Sequence, residues 1–292
     1  MQNILKSIKP SGIILIVSLI ILLLPACQNR FSQERDGKGS ENLDKDLFVV
    51  RIVSVQTGTE KKYIDHLNSM FLPVWSDLLK KGRLLETCVF QIETLDSLQT
   101  EDPPRNFLIL THLPPGTLPE LLLKAEMESK NIQSPDEIFF SVIRSEVMVP
   151  TPNSYFPVTT STGYERVEEI DFFVEFIDVN NSRKDLELYR HLMSSYFGPA
   201  NGILVEENIM LNFMAFETVQ VLSNNDNDAS WNQIHISGDF PEYINLNWDS
   251  LYTDLFRKEF SVDLDSIWDL LPDIRELPPY YSGSFIKKLH IH

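Results

Sequence analysis

The stretch that decides the fold occurs twice in this chain. It reads YIDHLNSMFLPVWSDLLKKG over residues 63–82 and YRHLMSSYFGPANGILVEEN over residues 189–208. Residues shared at an offset of 126, without gaps, include Tyr63, Ser69, Phe71 and Pro73, which return as Tyr189, Ser195, Phe197 and Pro199. The apolar spacing predicts a helix in each copy, and Pro73 predicts a kink. Gly82 and Asn208, at the ends of the two copies, both tolerate a left-handed helix cap.

The segments around the two copies follow the same order, strand-helix-strand-strand-helix-strand. In the first half we predict strands at 47–56, 84–94, 106–113 and 137–148, with a second helix at 117–130. In the second half we predict strands at 171–179, 209–222, 231–237 and 284–291, with helices from Ser182 and over 249–260 and 263–271. This agreement predicts an internal duplication. The alternative is two unrelated α+β stretches.

Each half matches the ferredoxin-like β-α-β-β-α-β unit. The predicted fold class is therefore α+β, with two such repeats packed as a pseudo-dimeric α/β barrel. The stretch from Tyr63 to Glu93, a helix with Phe-x-Pro and a terminal Gly followed by a strand, resembles the dimeric α/β-barrel superfamily. That superfamily includes antibiotic-biosynthesis-monooxygenase-like and NIPSNAP-like domains. The resemblance implies two sheets that close a barrel, and it implies much less about activity.

The first 27 residues resemble the leader of a bacterial lipoprotein. Lys6 and Lys9 precede twelve residues, 13–24, that are all aliphatic but for Ser18. As a helix this run spans about 18 Å, less than a bilayer core of roughly 30 Å, which is typical of a signal peptide. Leu24-Pro25-Ala26-Cys27 resembles the lipobox, which implies cleavage before Cys27 and a lipid on its sulfur. The alternative is a transmembrane helix with a chance cysteine.

The remaining boundaries follow composition. Residues 1–26 are predicted to be the signal peptide, 27–46 a flexible tether, 47–149 the first repeat, 150–168 a linker and 169–292 the second repeat. The predicted partner of Cys27 is a membrane, and the predicted location is the cell envelope. Gln28, where an aspartate would indicate inner-membrane retention, favours the outer membrane.

The charge of the chain excludes one class of partner. The net charge is −17, and it becomes −19 once Lys6 and Lys9 leave with the leader. A surface this acidic repels phosphate backbones, so we expect no nucleic-acid partner.

Two histidines are the best candidates for a binding pocket. His112 and His235 each close a predicted third strand, and both imidazoles can exchange protons near neutral pH. Facing the barrel interior, they could form a pocket with Tyr63 and Tyr189. The alternative is that both are hydrogen-bonded strand-end histidines with no ligand.

Recognised catalytic motifs are absent from the sequence. It has no phosphate-binding Gly-rich loop, zincin motif, paired-cysteine metal spacing or nucleophile elbow. We therefore assign no catalytic residue, metal or cofactor. Cys88 lies in an apolar run, 84–92, and is predicted to be a buried small hydrophobe rather than a nucleophile.

Three functions remain open. The leading interpretation is a non-catalytic envelope lipoprotein, not an enzyme, whose barrel binds a small apolar ligand or a partner protein. The second, implied by the superfamily, is a monooxygenase-like or haem-degrading enzyme. It predicts an open pocket lined by His112 or His235 with Tyr63 or Tyr189. The third is a structural subunit of an envelope assembly.

Overall fold

The computed structural model describes residues 46–95, 104–130, 139–226, 230–243, 245–276 and 280–292. The predicted leader, with Cys27, and nearly all of the predicted tether lie outside these residues. The strands of the first half are β1 (Leu47–Val55), β2 (Glu86–Thr94), β3 (Phe107–Leu113) and β4 (Phe140–Phe156). Its helices are α1 (Glu60–His66), α2 (Leu72–Lys80) and α3 (Pro119–Lys130).

The second half follows the same order. Its strands are β5 (Asp171–Val179), β6 (Met210–Asn224), β7 (Gln233–Asp239), β8 (Arg275–Glu276) and β9 (Tyr281–Phe285). Its helices are α4 (Arg183–Leu192), α5 (Gly198–Glu206), α6 (Trp248–Leu255), α7 (Leu264–Trp268) and α8 (Leu271–Ile274). Among the described residues, no helix is both long enough and apolar enough to cross a bilayer.

The strands form one closed antiparallel barrel. The first half has the strand order β4-β1-β3-β2, and the corresponding strands of the second half have the order β9-β5-β7-β6. Strand β2 pairs with β9 and β4 pairs with β6, which joins the two sheets at both edges. Closure leaves no long unpaired edge among these strands. The predicted α+β class, with a large antiparallel sheet and helices, is confirmed.

The helix that follows the first strand of each half changes geometry at the same place. Residues Leu67–Phe71 join α1 to α2 in π-helical geometry, and Met193–Phe197 join α4 to α5 in the same way. The offset between the two segments is the same 126 residues. Each is followed by a helix with proline near its start, Pro73 or Pro199. Proline cannot donate a backbone hydrogen bond, so the irregular turn of helix falls where the sequence predicted a kink.

The caps of α2 and α5 also correspond. Gly82 has φ of 63° and Asn208 has φ of 56°, so both lie in the left-handed region. The sequence predicted this conformation for both residues. Asn is one of the few residues other than Gly that adopts it readily.

The last strand of each half ends at a different residue from the one predicted. The last strand ends at Phe285 rather than Ile291, because the chain turns into a 3-10 helix at Lys287–Leu289. The predicted linker is also mostly ordered structure. Strand β4 continues through Phe156 along β6, and the rest forms 3-10 helices whose residues Val158 and Val167 are buried in the barrel.

The barrel interior is a packed apolar core. Every strand of the closed barrel contributes inward side chains to it, and the aromatic ones include Phe48, Phe90, Phe172, Phe176, Phe216 and Tyr281. These six are at most 1% exposed. The space between the two sheets is therefore filled by the protein itself. The outer face of each half packs a second apolar core against its helices.

Candidate functional site

A cavity of about 580 Å³ lies outside the barrel, between the second half of the sheet and its helices. This volume falls in the usual range for small-molecule sites, roughly 300–1,000 Å³. Strands β5 and β7 form its floor, and α4, α5 and α6 contribute to its walls. The cavity is thus on the face opposite to the barrel interior.

The floor of the cavity is a ladder of cross-strand pairs. Because alternate side chains of a strand share a face, three successive pairs project into the cavity. These pairs are Asp171–Asp239, Phe173–Ser237 and Glu175–His235. The intervening residues, including Val174 and Ile236, point into the barrel core. One face of β5 and β7 therefore packs into the barrel core, and the other presents titratable side chains to the cavity.

The walls of the cavity are mostly aromatic and apolar. The aromatic side chains that line it are Phe173, Tyr189, Phe197, Phe213, Phe240, Trp248, Tyr252, Trp268 and Tyr280. Three of the lining residues, Tyr189, Met193 and Phe197, come from α4 and the π-helical segment after it. Rings of this kind favour a flat apolar ligand, because they offer large stacking surfaces.

His235 is held between two partners. Its Nδ1 lies 3.2 Å from Oε2 of Glu175, and its Nε2 lies 3.2 Å from the hydroxyl of Tyr189. A carboxylate only accepts hydrogen bonds, so Nδ1 is the donor, and in the neutral imidazole Nε2 then accepts from the hydroxyl of Tyr189. The Nη1 of Arg275 lies 3.4 Å from the same hydroxyl. Together these groups form a connected chain from a carboxylate to a guanidinium.

Charge in this chain is arranged around the imidazole. Burial by itself would raise the pKa of Glu175, but hydrogen bonds from His235 and Tyr280 and the charge of Arg275 lower it overall. Burial also raises the pKa of Tyr189 well above its ordinary value. Glu175 is therefore anionic and Tyr189 neutral at physiological pH.

Two polar atoms at the cavity lack partners. Oδ1 of Asp239 and Nε of Arg275 are buried and make no hydrogen bond within the described part of the chain. Burial raises the pKa of Asp239 from 3.8 to about 6. Buried polar groups are nearly always hydrogen-bonded, so groups that are not need an explanation. A ligand that donates a hydrogen bond to Asp239 or accepts one from Arg275 would explain why these atoms have no partner.

Asp239→Asn should stabilise the protein near neutral pH. The folded chain holds the proton of Asp239 to about pH 6, whereas the unfolded chain loses it near pH 3.8. Stability is therefore lost as the pH rises through this interval. Each tenfold difference in proton affinity is worth about 1.4 kcal/mol, so the loss is at most about 3 kcal/mol.

Urea unfolding of the wild-type chain and Asp239→Asn as a function of pH measures this difference. The two curves should meet below pH 4 and separate by about 1–3 kcal/mol above pH 6, with the variant more stable. A constant difference at all pH values would show that Asp239 is not the titrating group.

At the corresponding strand position, the described residues of the first half have an ion pair in place of the Glu175–His235 pair. Strands β3 and β7 correspond at the offset of 126, so Ile109 of the first half is the equivalent of His235 in the second. The cross-strand partner of Ile109 is Arg51, where the second half has Glu175. Arg51 is closed over by Glu126, with nitrogen–oxygen distances of 2.5 and 2.7 Å. A buried ion pair with a helix therefore stands where the second half has the Glu175–His235 pair.

The four residues that the sequence singled out do not share one pocket. His235 and Tyr189 line the cavity together. Tyr63 is buried against Phe107 in the first half, and His112 stacks on Phe48 at one end of the barrel, with ring centroids 4.3 Å apart. Of the two histidines, only His112 faces the barrel interior, because His235 occupies the other parity of its strand.

Sequence reasoning missed Glu175, Asp239 and Arg275. For Glu175 there was a signal: Asp171, Phe173 and Glu175 alternate with buried Phe172, Val174 and Phe176. A carboxylate among the residues that alternate with the buried ones indicates that the face opposite the barrel core is not purely apolar packing. Arg275 follows three short helices, and no sequence pattern places it near Tyr189.

The fold and site together define a class: a closed antiparallel α+β barrel with a titratable, aromatic cavity under the helices of one half. No family model and no curated protein matches the sequence. Solved structures are similar at low identity. They include a chlorite dismutase from Candidatus Nitrospira defluvii in complex with imidazole (10% identity, TM-score 0.40, covering 85% of this chain and 97% of that one).

Two further similar structures have comparable scores. One is an encapsulated DyP-type peroxidase from Mycobacterium smegmatis (8% identity, TM-score 0.42, covering 83% of this chain and 94% of that one). The other is a haem-binding protein from Thermus thermophilus (12% identity, TM-score 0.41, covering 84% and 92%). Two of the three are named for enzymatic activities and one for haem binding, which contradicts the sequence-based preference for a non-catalytic module. At these scores the likeness assigns no activity to this chain. The chemistry itself has to be argued from the cavity.

The residues of the cavity do not fit haem. Both ring nitrogens of His235 are engaged, so iron ligation would require Tyr189 to give up its hydrogen bond. Three carboxylates, Asp171, Glu175 and Asp239, line the cavity against a single guanidinium, Arg275. The two propionates of haem would meet a lining of the same sign. We therefore route no step through haem.

Proposed function

We propose that this chain is an enzyme that removes a proton from a small hydroxylated aromatic substrate in the cavity of its second half. The observation that carries the proposal is the hydrogen-bonded chain Glu175–His235–Tyr189–Arg275 at the edge of an open aromatic cavity. The proposal corresponds to the monooxygenase-like alternative, which predicted a pocket lined by His235 with Tyr189.

The proton moves through Tyr189. A substrate hydroxyl donates its proton to the Tyr189 oxygen while Tyr189 passes its own proton to Nε2 of His235. The substrate O–H bond breaks, an N–H bond forms on His235, and Tyr189 is regenerated. This relay keeps the hydrogen bond between Tyr189 and Nε2 of His235. Ligation of a metal by the same Nε2 would break that bond.

Charges in the site balance after the transfer. The imidazolium of His235 lies against the Glu175 carboxylate, and the substrate anion lies near Arg275 beside Tyr189. Preorganised opposite charges of this kind lower the barrier to forming the anion. General acid–base catalysis by a positioned side chain contributes roughly 10²–10⁴-fold to a rate.

The chemistry of the walls restricts the substrate class. Stacking surfaces such as Trp248 and Trp268 favour a planar ring. Asp239 and Arg275, at different parts of the cavity, favour a molecule with a hydrogen-bond donor and an acidic hydroxyl. A large dianion is disfavoured by the three carboxylates.

4-Nitrophenol tests the proposal directly, because its anion absorbs visible light and its neutral form does not. We expect the full-length chain to bind it, to quench tryptophan fluorescence and to raise the bound fraction of the anion. Tyr189→Phe, which keeps the ring but breaks the relay, should abolish the gain in anion. The matched control is Tyr63→Phe, at the corresponding position of the first half, and it should bind as wild type does.

His235→Gln separates binding from proton transfer. It should still quench fluorescence, because the aromatic walls remain, but should show no gain in anion. For any phenol that the wild-type chain converts, kcat/KM should fall by about 100-fold or more. An unchanged anion fraction in both His235→Gln and Tyr189→Phe would overturn the proposal. A haem titration that gives a Soret band lost in His235→Gln would also overturn it, in favour of a haem protein.

The organisation of the chain adds two proposals. Duplication of one ferredoxin-like unit is supported by the equal strand order, the matching π-helical segments and the left-handed caps at a constant offset. Relatives whose halves lack this correspondence would contradict it.

Lipid attachment at Cys27, with a location in the cell envelope and on the outer membrane, is supported by the leader sequence. A native mass that includes residues 1–26 would exclude it.

A further inference from the structure

Three side chains of metal-ligand type meet at one end of the barrel interior, away from the cavity. They are Glu86 and Cys88, two residues apart on one face of β2, and His290, which follows the 3-10 helix after β9. Oε1 of Glu86, Sγ of Cys88 and Nε2 of His290 all lie within 4.8 Å of one another. The side chain of His290 is 1% exposed and that of Glu86 is 13% exposed. Cys88 is 3% exposed.

The spacing of these atoms suits a tetrahedral cation. Zn²⁺ binds sulfur at about 2.3 Å and nitrogen or oxygen at about 2.1 Å, so tetrahedral ligands lie roughly 3.4–3.6 Å apart. Cys88 Sγ is 3.5 Å from Glu86 Oε1, and His290 Nε2 is 2.9 Å from the same oxygen. A small outward movement of one imidazole would open the shorter distance.

His290 is already oriented as a ligand. Its Nδ1 is hydrogen-bonded to the hydroxyl of Tyr164 at 2.5 Å, and its Nε2 donates to Glu86. Ligation through Nε2 therefore moves the ring proton to Nδ1, which then donates to the Tyr164 oxygen. Fixing one ring nitrogen with a second partner is how metal-binding histidines are normally held. The carboxylate and a thiolate would together neutralise a divalent cation in this buried place.

A further donor stands beside the three. His112 lies directly opposite Glu86 in the pairing of β2 with β3, so the two side chains share a face. Its Nε2 is buried and makes no hydrogen bond within the described residues, although Asp46 approaches to 3.4 Å. Asp46 is within ion-pairing distance of this nitrogen, so His112 can act as a fourth ligand only if its ring turns from Asp46 toward the other three.

We propose that Glu86, Cys88 and His290 bind a divalent cation of the zinc class, with His112 or a solvent molecule as the fourth ligand. Binding converts the Cys88 thiol to a thiolate, and the proton leaves to solvent as the metal–sulfur bond forms. The site is structural, because it ties the segment after β9 to β2 at the end of the barrel. It is independent of the proton-transfer cavity.

Cobalt substitution tests the site. We expect the full-length chain with Cys27→Ser, in which Cys88 is the sole thiol, to bind one equivalent of Co²⁺ after removal of metal with a chelator. The complex should show a near-ultraviolet thiolate-to-cobalt band and the visible bands of tetrahedral cobalt. Zn²⁺ should displace the cobalt, raise the midpoint of thermal unfolding and slow the reaction of Cys88 with a thiol reagent.

Variants assign the ligands. Cys88→Ala and Cys88→Ser should lose the near-ultraviolet band, and His290→Ala should weaken binding by about 10-fold or more. His191→Ala, at an exposed histidine on α4, is the matched control and should bind as the parent does. Absence of the band in the parent chain, or its survival in Cys88→Ala, would overturn the proposal. If neither cysteine variant folds, failure of Zn²⁺ to protect the thiol of the parent chain would overturn it equally.

Discussion

Glu126→Ala should lower the free energy of unfolding by about 3–5 kcal/mol. Glu126, on α3, accepts from both terminal nitrogens of Arg51 and, at 2.7 Å, from Nε1 of Trp75. The side chains of Arg51 and Glu126 are 8% and 4% exposed. Removing the carboxylate leaves a buried guanidinium and an indole N–H without their acceptor, and water cannot readily replace it. Urea unfolding followed by circular dichroism gives the loss.

Two further variants separate the charge from the packing. Glu120→Ala, at an exposed position of the same helix, removes an identical charge and should cost less than about 1 kcal/mol. The double variant Arg51→Met with Glu126→Leu should recover most of the stability lost in Glu126→Ala, because no buried charge then remains unpaired. A Glu126→Ala loss no larger than that of Glu120→Ala would mean that water solvates Arg51.

Glu146→Ala should have an effect of the same size, about 3–5 kcal/mol, for a different structural reason. Glu146 lies on β4 inside the barrel with a side chain that is 1% exposed. It accepts from Arg144 at 2.9 Å, from Thr218 at 2.8 Å and from Nε1 of Trp231 at 2.7 Å. Arg144 belongs to the first half and the other two donors to the second. The carboxylate thus links the halves where β4 meets β6.

Chemical unfolding of three variants distinguishes charge, hydrogen bonding and surface effects. Glu146→Gln keeps an acceptor for Trp231 but no charge for Arg144, so its loss should be intermediate. Glu217→Ala, on neighbouring β6, removes a carboxylate that pairs with half-exposed Arg190 outside the barrel, and it should cost less than about 1 kcal/mol. Equal losses for Glu146→Ala and Glu217→Ala would contradict the account of the network.

Much of the fold was predictable because it depends on local pattern. Helical and strand spacing, the proline within each first helix and the left-handed caps at Gly82 and Asn208 are properties of short segments. The boundaries that failed depend on distant contacts. A 3-10 helix over Lys287–Leu289 ends the last strand before Ile291, which then meets β2 again through an isolated bridge to Thr87, and no local signal indicates this.

The candidate site was only half predictable. His235 and Tyr189 were singled out, but they were grouped with His112 and Tyr63, which lie elsewhere. The error has one cause: a shift of one residue along a strand moves a side chain to the opposite face. His112 therefore points into the barrel, and His235 points toward the helices.

The sequence by itself determined the order of the elements, the α+β class and the likeness of the two halves, because each is written in the spacing of apolar residues and in turn chemistry. Only the tertiary structure decided that apolar side chains pack the barrel interior and that a cavity lies beside β5 and β7 in the second half. That difference comes from residues far apart in the chain. Arg51 meets Glu126 of α3 in the first half, whereas Glu175 meets His235 at the cavity of the second half. Which charges meet across a sheet and its helices depends on strand pairing and packing, and neither is fixed by the local sequence.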